Sequence, residues 1–291
     1  MNKSDVSIII PAYNEAPTIG GIVSRIKDLY PDFEIIVIND GSTDETAKAA
    51  KDAGAIVYSH PYNIGNGAAI KSGIRIASGG ILVFMDGDGQ HDPEYIDNML
   101  TYFPEYDMVV GARQSKRDQS SPLRNLGNKM YNWLASYVTK FPVMDLTSGF
   151  RAVKADIARN FLYLLPNTFS YPTTMTMALL RSGLSMKYIP IEAALRGTGS
   201  KSKIRLIRDG VRFFLIIMRI ATLYSPFRIF LPVSAILFIT GLGYYIYTFL
   251  TAHRFTNMSL LLFLTSLIIF MLGLISEQIT QIRMERTEKS G

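Results

Sequence analysis

"ILVFMDGDGQHDPE", residues 81–94, runs five apolar residues into two aspartates set one apart among glycines. Unpaired carboxylates are costly in a core, so Asp86, Asp88 and Asp92 mark the end of a buried strand and not its interior. The pattern recurs upstream. Val6–Ile10 is a β-branched run closing at Pro11, Glu34–Ile38 closes at Asn39-Asp40, and Ala55–Tyr58 repeats the strand signature. Each reads as a buried strand, and the first two also end in polar residues. Ala68–Ala77 reads as a helix, Ser42-Thr43-Asp44-Glu45 has the spacing of a capping box that opens another, and Asp92-Pro93 reads as the N-cap and N1 of a third. Strands alternating with helices predict an α/β fold with a mostly parallel sheet covered on both faces. Ligands of such sheets bind outside the carboxyl ends of the strands. Tyr13, Glu15, Asp40, Asp86 and Asp88 then line the rim of one crevice.

Of the 291 residues 48% are hydrophobic, and the excess sits at the C-terminus. Ile229–Thr251 and Phe255–Ser276 contain no charged residue. At about 1.5 Å per residue the first would span roughly 34 Å as a helix. They predict two transmembrane helices, about 229–251 and 256–278, joined through Ala252-His253-Arg254. The net charge of +6 is local, because Arg196–Arg228 holds eight basic residues and one acid, which leaves the remainder near −1. Positive charge confined beside a membrane hairpin excludes a nucleic-acid binder. By the positive-inside rule this collar, with Arg283, Arg286 and Lys289, places the N-terminal domain and the C-terminus in the cytoplasm. The absence of a cleavable signal before Val6 agrees with that expectation. Zero cysteines exclude disulfides and thiolate metal sites. The expected organisation is a catalytic domain over 1–200, a basic amphipathic juxtamembrane segment over 201–226, the transmembrane pair within 227–281 and a cytoplasmic tail over 282–291.

"PAYNE" (11–15), "VINDGSTDET" (37–46), "GNGAAIKSGI" (65–74), "MDGDGQHDPE" (85–94) and "DLTSGFRAV" (145–153) occur in that order. Together they resemble the family 2 glycosyltransferases of GT-A (Rossmann-like) fold, in the dolichol-phosphate mannose synthase and polyprenyl-phosphate glycosyltransferase branch, over about residues 5–204. The resemblance implies that Pro11, Tyr13, Glu15 and Asp40 hold the base and ribose of a nucleotide sugar. It makes Asp86, Asp88 and Gln90 the site for Mg²⁺ or Mn²⁺ on the diphosphate. It sets Arg113, Arg124 and Arg151 near phosphates, and has Arg196, Ser202 and Lys203 close over the diphosphate or meet the acceptor phosphate, with Lys201 a competing contact. Asp86, Asp88, Arg124, Arg196 and Lys203 would carry the catalysis. Competing readings make Glu15 and Asp40 helix caps, Asp44 and Glu45 caps only, Asp145 a turn residue first and an active-site residue second, and His91 a bystander.

A hydroxyl acceptor needs a carboxylate base near the end of the catalytic domain, and "FSYPTTMTMALL" (169–180) contains no acid. A phosphate acceptor is already ionised and needs positive charge instead. Lys201, Arg205, Arg208, Arg212 and Arg219 supply it on one helical stripe suited to a membrane interface. The expected protein is a membrane-anchored, metal-dependent glycosyltransferase, inverting as the resemblance implies. It would transfer one sugar from a UDP- or GDP-sugar to dolichyl or undecaprenyl phosphate at the cytoplasmic face. Membrane lipids are its other expected partners, and two spanning helices leave room for a homo-oligomer. The rival readings are transfer to a hydroxyl with Asp145 or Glu192 as base, and a noncatalytic nucleotide-sugar-binding membrane protein.

Overall fold

The computed structural model describes residues 5–113, 122–167, 170–192, 215, 218, 221–222 and 226–288, with side chains left out at 122–128 and 283–288. Arg196, Lys201, Ser202 and Lys203 lie outside the described residues, as does the side chain of Arg124. The chain divides into two compact units, Met1–Phe214 and Leu215–Gly291.

The first unit is built on seven strands: β1 (Val6–Ala12), β2 (Glu34–Asn39), β3 (Ile56–Ser59), β4 (Ile81–Phe84), β5 (Met108–Arg113), β6 (Arg151–Lys154) and β7 (Met186–Ile191). They form one sheet in the order β3-β2-β1-β4-β6-β5-β7. Every pair is parallel except the two involving β6, which runs against both β4 and β5. The helices are α1 (Ala16–Leu29), α2 (Thr46–Asp52), α3 (Asn66–Ile76), α4 (Tyr95–Leu100), α5 (Pro122–Thr139), α6 (Ala155–Asn160) and α7 (Tyr171–Arg181).

The β-branched runs form strands because both faces of the sheet are covered, so alternate side chains feed two separate cores. Ile8, Ile10, Val37 and Val83 pack with Ile19, Val23 and Ile26 of α1 and Ile96 and Met99 of α4 on one face. Ile9, Ile36, Ile38 and Phe84 pack with Ile70 and Ile74 of α3 and Met175 and Leu179 of α7 on the other. Each fully buried isoleucine contributes roughly 1.5–3 kcal/mol of transfer free energy. β3 differs from the buried strand that its sequence suggests: it lies at the sheet edge, with Ile56 and Tyr58 exposed.

The capping box at 42–45 is also corrected. Helix α2 starts at Thr46 with no side-chain cap. Asp44 instead accepts from the Thr46 backbone N–H and hydroxyl and from the Ala16 N–H. Thr46 Oγ1 in turn accepts from the Glu15 N–H, at 2.9 Å. A carboxylate that sequence assigns to its own helix is spent on joining the loops after β1 and β2. The Asp92-Pro93 helix start is corrected as well: Asp92 accepts the Glu94 N–H at 3.0 Å in the turn ahead of the helix, and α4 begins at Tyr95 with no side-chain cap.

The second unit is a helical hairpin of Phe227–Ala252 and Asn257–Glu288. Over Phe227–Ala252 and Asn257–Ile282 it is long and apolar enough to cross a bilayer. The second helix continues to Glu288, beyond the expected end near 278. Ser234 and Ser266 each donate a hydroxyl to the other's carbonyl at 3.0 Å. Such reciprocal bonding satisfies hydroxyls between helices where no water competes.

Candidate active site

The crevice is built at the carboxyl ends of β1, β2 and β4. Because β6 is reversed, its beginning arrives at the same rim. β4 pairs Phe84 with Arg151, so two further residues along each chain bring Asp86 beside Gly149. A Cβ at position 149 would lie 2.8 Å from Asp86 Oδ2, so only glycine leaves this carboxylate its place.

Asp86-Gly87-Asp88-Gly89-Gln90 forms the turn after β4. Asp88 Oδ1 accepts the Gln90 N–H at 3.1 Å, and Gly89 takes the left-handed conformation (φ 75°) that this tight turn needs. The Thr18 hydroxyl of α1 donates to the Gly87 carbonyl at 2.9 Å. A Cβ on Gly87 would meet the Pro11 carbonyl at 3.3 Å. Pro11, near the end of strand β1, and Tyr13 and Glu15 on the loop that follows therefore share the rim with Asp86, Asp88 and Gln90 on the loop leaving the adjacent strand β4.

Asp40 sits deeper. Its buried carboxylate contacts His60 Nδ1 at 2.7 Å and accepts the N–H groups of Ile64 and Gly65 at 3.0 and 2.8 Å. His60 Nε2 lies 2.9 Å from Ser72 Oγ. Asp40 thus shapes the β3–α3 loop, which delivers Asn66 to the crevice. Asn66 lines a cavity of about 40 Å³ with Asp86, Thr147, Gly149, Ser170, Tyr171, Pro172 and Thr173. Its buried Oδ1 meets no donor among the described residues.

Arg113, at the end of β5, forms a fork on Asp145. Its Nε and Nη2 donate to the two carboxylate oxygens at 2.8 and 3.0 Å, and Nη2 also reaches Thr147 Oγ1 at 2.8 Å. Burial pushes the Asp145 carboxyl up, but the Arg113 bonds and charge with the backbone N–H groups of Arg113 and Thr147 outweigh it and hold the pKa below the usual carboxylate value. His91 is buried and stacked on Phe150, with ring centroids 5.1 Å apart.

Arg151 corrects the expectation drawn from the motif. It is completely buried, donates through Nη1 to the Pro172 carbonyl (2.9 Å) and Thr176 Oγ1 (3.1 Å), and through Nη2 to the Ser148 carbonyl. Its guanidinium lies over the Tyr171 ring. With its donors turned into the protein, Arg151 braces the crevice wall and is not presented to a phosphate. Asn66, Thr147, Ser170, Tyr171 and Thr173 are wall residues that sequence reasoning did not select. The first two lay inside quoted motifs, and Pro172 at the start of α7 marked the position of the others.

Residues 7–162 match the family model for glycosyl transferase family 2, more than half of the chain. The chain belongs to glycosyl transferase family 2. Residues 225–282 of this family 2 glycosyltransferase match a second model, the GtrB C-terminal hairpin. It is 30% identical over 247 residues to glycosyltransferase AglJ of Haloferax volcanii, covering 83% of this chain and 80% of that one. It is 29% identical over 210 residues to the undecaprenyl-phosphate mannosyltransferase of Micrococcus luteus, covering 67% and 85%. Its fold is similar to that of glucosyl-3-phosphoglycerate synthase from Mycobacterium tuberculosis, crystallised with Mn²⁺, UDP-glucose and phosphoglyceric acid, at TM-score 0.59 and 20% identity over 74% and 79% of the two chains.

The donor set in this glycosyltransferase limits the metal it suits. Among the described residues there is no cluster of three or more His, Asp or Glu that makes an all-protein cage. Two carboxylates on a glycine-flanked turn, with Gly149 leaving room at Asp86, fit a hard cation that completes its shell with water or phosphate oxygens.

Two tests follow from this geometry. Gly149→Ala is expected to push aside the Asp86 carboxylate, a mobile side-chain end, and to lower transfer by about 10²-fold while the melting temperature stays nearly unchanged; kinetics beside thermal unfolding read both. Asp145, whose folded pKa lies below its unfolded value of about 3.9, stabilises the fold above that value and loses the contribution as pH falls through the folded one. Asp145→Asn is expected to lower the melting temperature at pH 7 and to flatten its decline on the acid side, measured by melts from pH 7 to pH 3.

Proposed function

We propose that this glycosyltransferase moves one sugar from a nucleoside-diphosphate sugar, UDP- or GDP-linked, to polyprenyl phosphate, inverting the anomeric centre, with its catalytic unit on the cytoplasmic side. The observation that carries the reading is the composition of the crevice. Asp86 lines one small cavity with Tyr171, Pro172 and Thr173 of α7, a helix without an acid from Tyr171 to Arg181, and Asp88 follows two residues on in the same turn. The Micrococcus luteus relative, an undecaprenyl-phosphate mannosyltransferase, and the matched hairpin support the lipid-phosphate acceptor.

In this reading Asp86 and Asp88, with Gln90 beside them, hold Mg²⁺ or Mn²⁺ against the donor diphosphate. When bound, such an ion offsets the charge that develops on the departing diphosphate. Pro11, Tyr13 and Glu15 seat the nucleoside, and the loop fixed by Asp40 and His60 closes one side of the site. Arg113 keeps Asp145 ionised and contributes positive charge near the leaving group. Arg124, Arg196, Ser202 and Lys203 are assigned to the phosphates on the resemblance alone. The acceptor phosphate arrives ionised, so attack requires no base, and water exclusion falls to the α7 wall.

The reading with a hydroxyl acceptor requires Asp145 or Glu192 to take a proton. The fork from Arg113 disfavours Asp145, because a carboxylate held below its usual pKa is a weak base. Purified full-length protein incubated with UDP- and GDP-sugars, Mn²⁺ and either polyprenyl phosphate or the matching polyprenol separates the two. Mass analysis is expected to find the sugar on the phosphate lipid only, and NMR of the product the inverted anomer. Transfer to the polyprenol, or turnover indifferent to the phosphate, would reject the proposal.

A further inference from the structure

The cavity that Asn66 shares with Asp86 is small and rich in hydrogen-bond acceptors. Its volume of about 40 Å³ is room for roughly three water-sized groups, at about 10–15 Å³ each. That is too little for a sugar ring and enough for one hydroxyl or hydroxymethyl substituent. Three hydroxyls of the wall spend their protons on the protein. Tyr171 donates to the Gly149 carbonyl at 3.2 Å, Thr147 to Asp145 Oδ1 at 3.2 Å and Thr173 to the Leu146 carbonyl at 3.5 Å. Asn66 Oδ1 is buried and meets no donor among the described residues. A buried carbonyl oxygen without a donor is costly, and a ligand that brings one removes the cost.

The place of Asn66 is imposed by its surroundings. Asp40 accepts the N–H groups of Ile64 and Gly65 immediately before it. Helix α3, which it opens, is tied to the segment leading into α7. The Ala68 N–H donates to the Asn167 carbonyl (2.8 Å) and Lys71 Nζ to the Leu165 carbonyl (3.3 Å). Ser170, across the cavity, is left-handed (φ 86°), a conformation that a serine keeps only where the structure around it demands it.

We infer that this cavity reads the donor sugar, with Asn66 Oδ1 accepting one of its hydroxyls, and that the donor carries a neutral hexose in preference to a hexuronate. The inference rests on the nucleotide-sugar reading above, in which Asp86 lies against the diphosphate. The sugar is bonded directly to that diphosphate, so a recess that shares Asp86 receives one of its substituents. Asn66 Oδ1 and the Asp86 carboxylate are acceptors that an O–H group satisfies. A hexuronate carboxylate brings no proton at neutral pH and adds a like charge beside Asp86. A site built to bond a substrate hydroxyl rejects analogues without it, because its own polar atom is then stranded.

Calorimetric binding to the purified full-length protein with Mn²⁺ tests this. The ligands are UDP-glucose, UDP-galactose and GDP-mannose, each beside its matching hexuronate and the bare nucleoside diphosphate. At least one neutral donor is expected to bind about tenfold or more tighter than its hexuronate. Asn66→Leu fills the recess and Asn66→Ala enlarges it. Both are expected to weaken that donor about tenfold and to leave bare nucleotide affinity and melting temperature nearly unchanged. Hexuronate bound as tightly as hexose, a donor loss in fewer than both variants, or an equal loss for the bare nucleotide would overturn the inference. Failure of UDP and GDP alike to bind the unaltered protein refutes the nucleotide-sugar reading and this subsite with it. Asn66-dependent hexose binding without transfer to polyprenyl phosphate refutes the acceptor reading alone and upholds the subsite.

Discussion

Asp88→Ala is expected to remove sugar transfer by about 10³-fold while leaving the fold in place. The side chain is only partly buried, and its carboxylate accepts the Gln90 N–H within its own turn. Losing one such bond in a turn costs about 0.5–1.5 kcal/mol. The turn has independent supports in the Thr18 bond to Gly87 and the conformation of Gly89. The catalytic cost is of another order, since the proposed leaving-group site would lose one of its two carboxylates and hold the cation more weakly. Initial rates of lipid glycosylation and thermal melts of the same preparation check it. A folded Asp88→Ala enzyme with full turnover would remove the metal assignment altogether.

Arg151→Ala is expected to act in the opposite manner, through stability first. The substitution opens a cavity at a site with no solvent exposure and leaves the carbonyls of Ser148 and Pro172 without their donor. Large-to-alanine changes in cores cost about 2–5 kcal/mol, and each stranded buried acceptor adds about 1–3 kcal/mol. The melting temperature should drop by on the order of 10 °C, with loss of activity following the loss of fold. Arg151→Lys is expected to recover little, because a point ammonium cannot span three acceptors that a planar fork reaches. If Arg151→Ala folded normally and lost only activity, the phosphate role suggested by the motif would be restored.

The contrast between these two residues shows where the sequence was legible. Asp88 announces itself, because a carboxylate directly after a four-residue buried strand has nowhere to go but the rim. The β-branched runs, the crevice at their carboxyl ends and the apolar hairpin were readable for the same reason: each rests on a local pattern of burial. Arg151 was not readable, since its partners Pro172 and Thr176 are more than twenty residues away and arrive only once α7 packs on the sheet. Asp40 and Asp44 are similar cases, their carboxylates committed to His60 and to the Ala16 N–H by loop packing. The direction of β6 is silent in "RAVK", four residues whose burial fits either orientation. Without that direction neither the Asp86–Gly149 contact nor the Asn66 wall could be drawn.

The reversal of β6 also has a practical side. It sets the head of β6 beside the tails of β1, β2 and β4 at one edge of the sheet and leaves plain connections at the other. There the chain turns at Gly54 before β3 and at Gly183 before β7, and at Gly183 nothing lies within 4 Å of where a side chain would start. A fluorescent reporter or affinity tag spliced into residues 182–184 would ride on the side of the sheet away from the chemistry, giving a handle for purification or imaging that leaves donor access undisturbed.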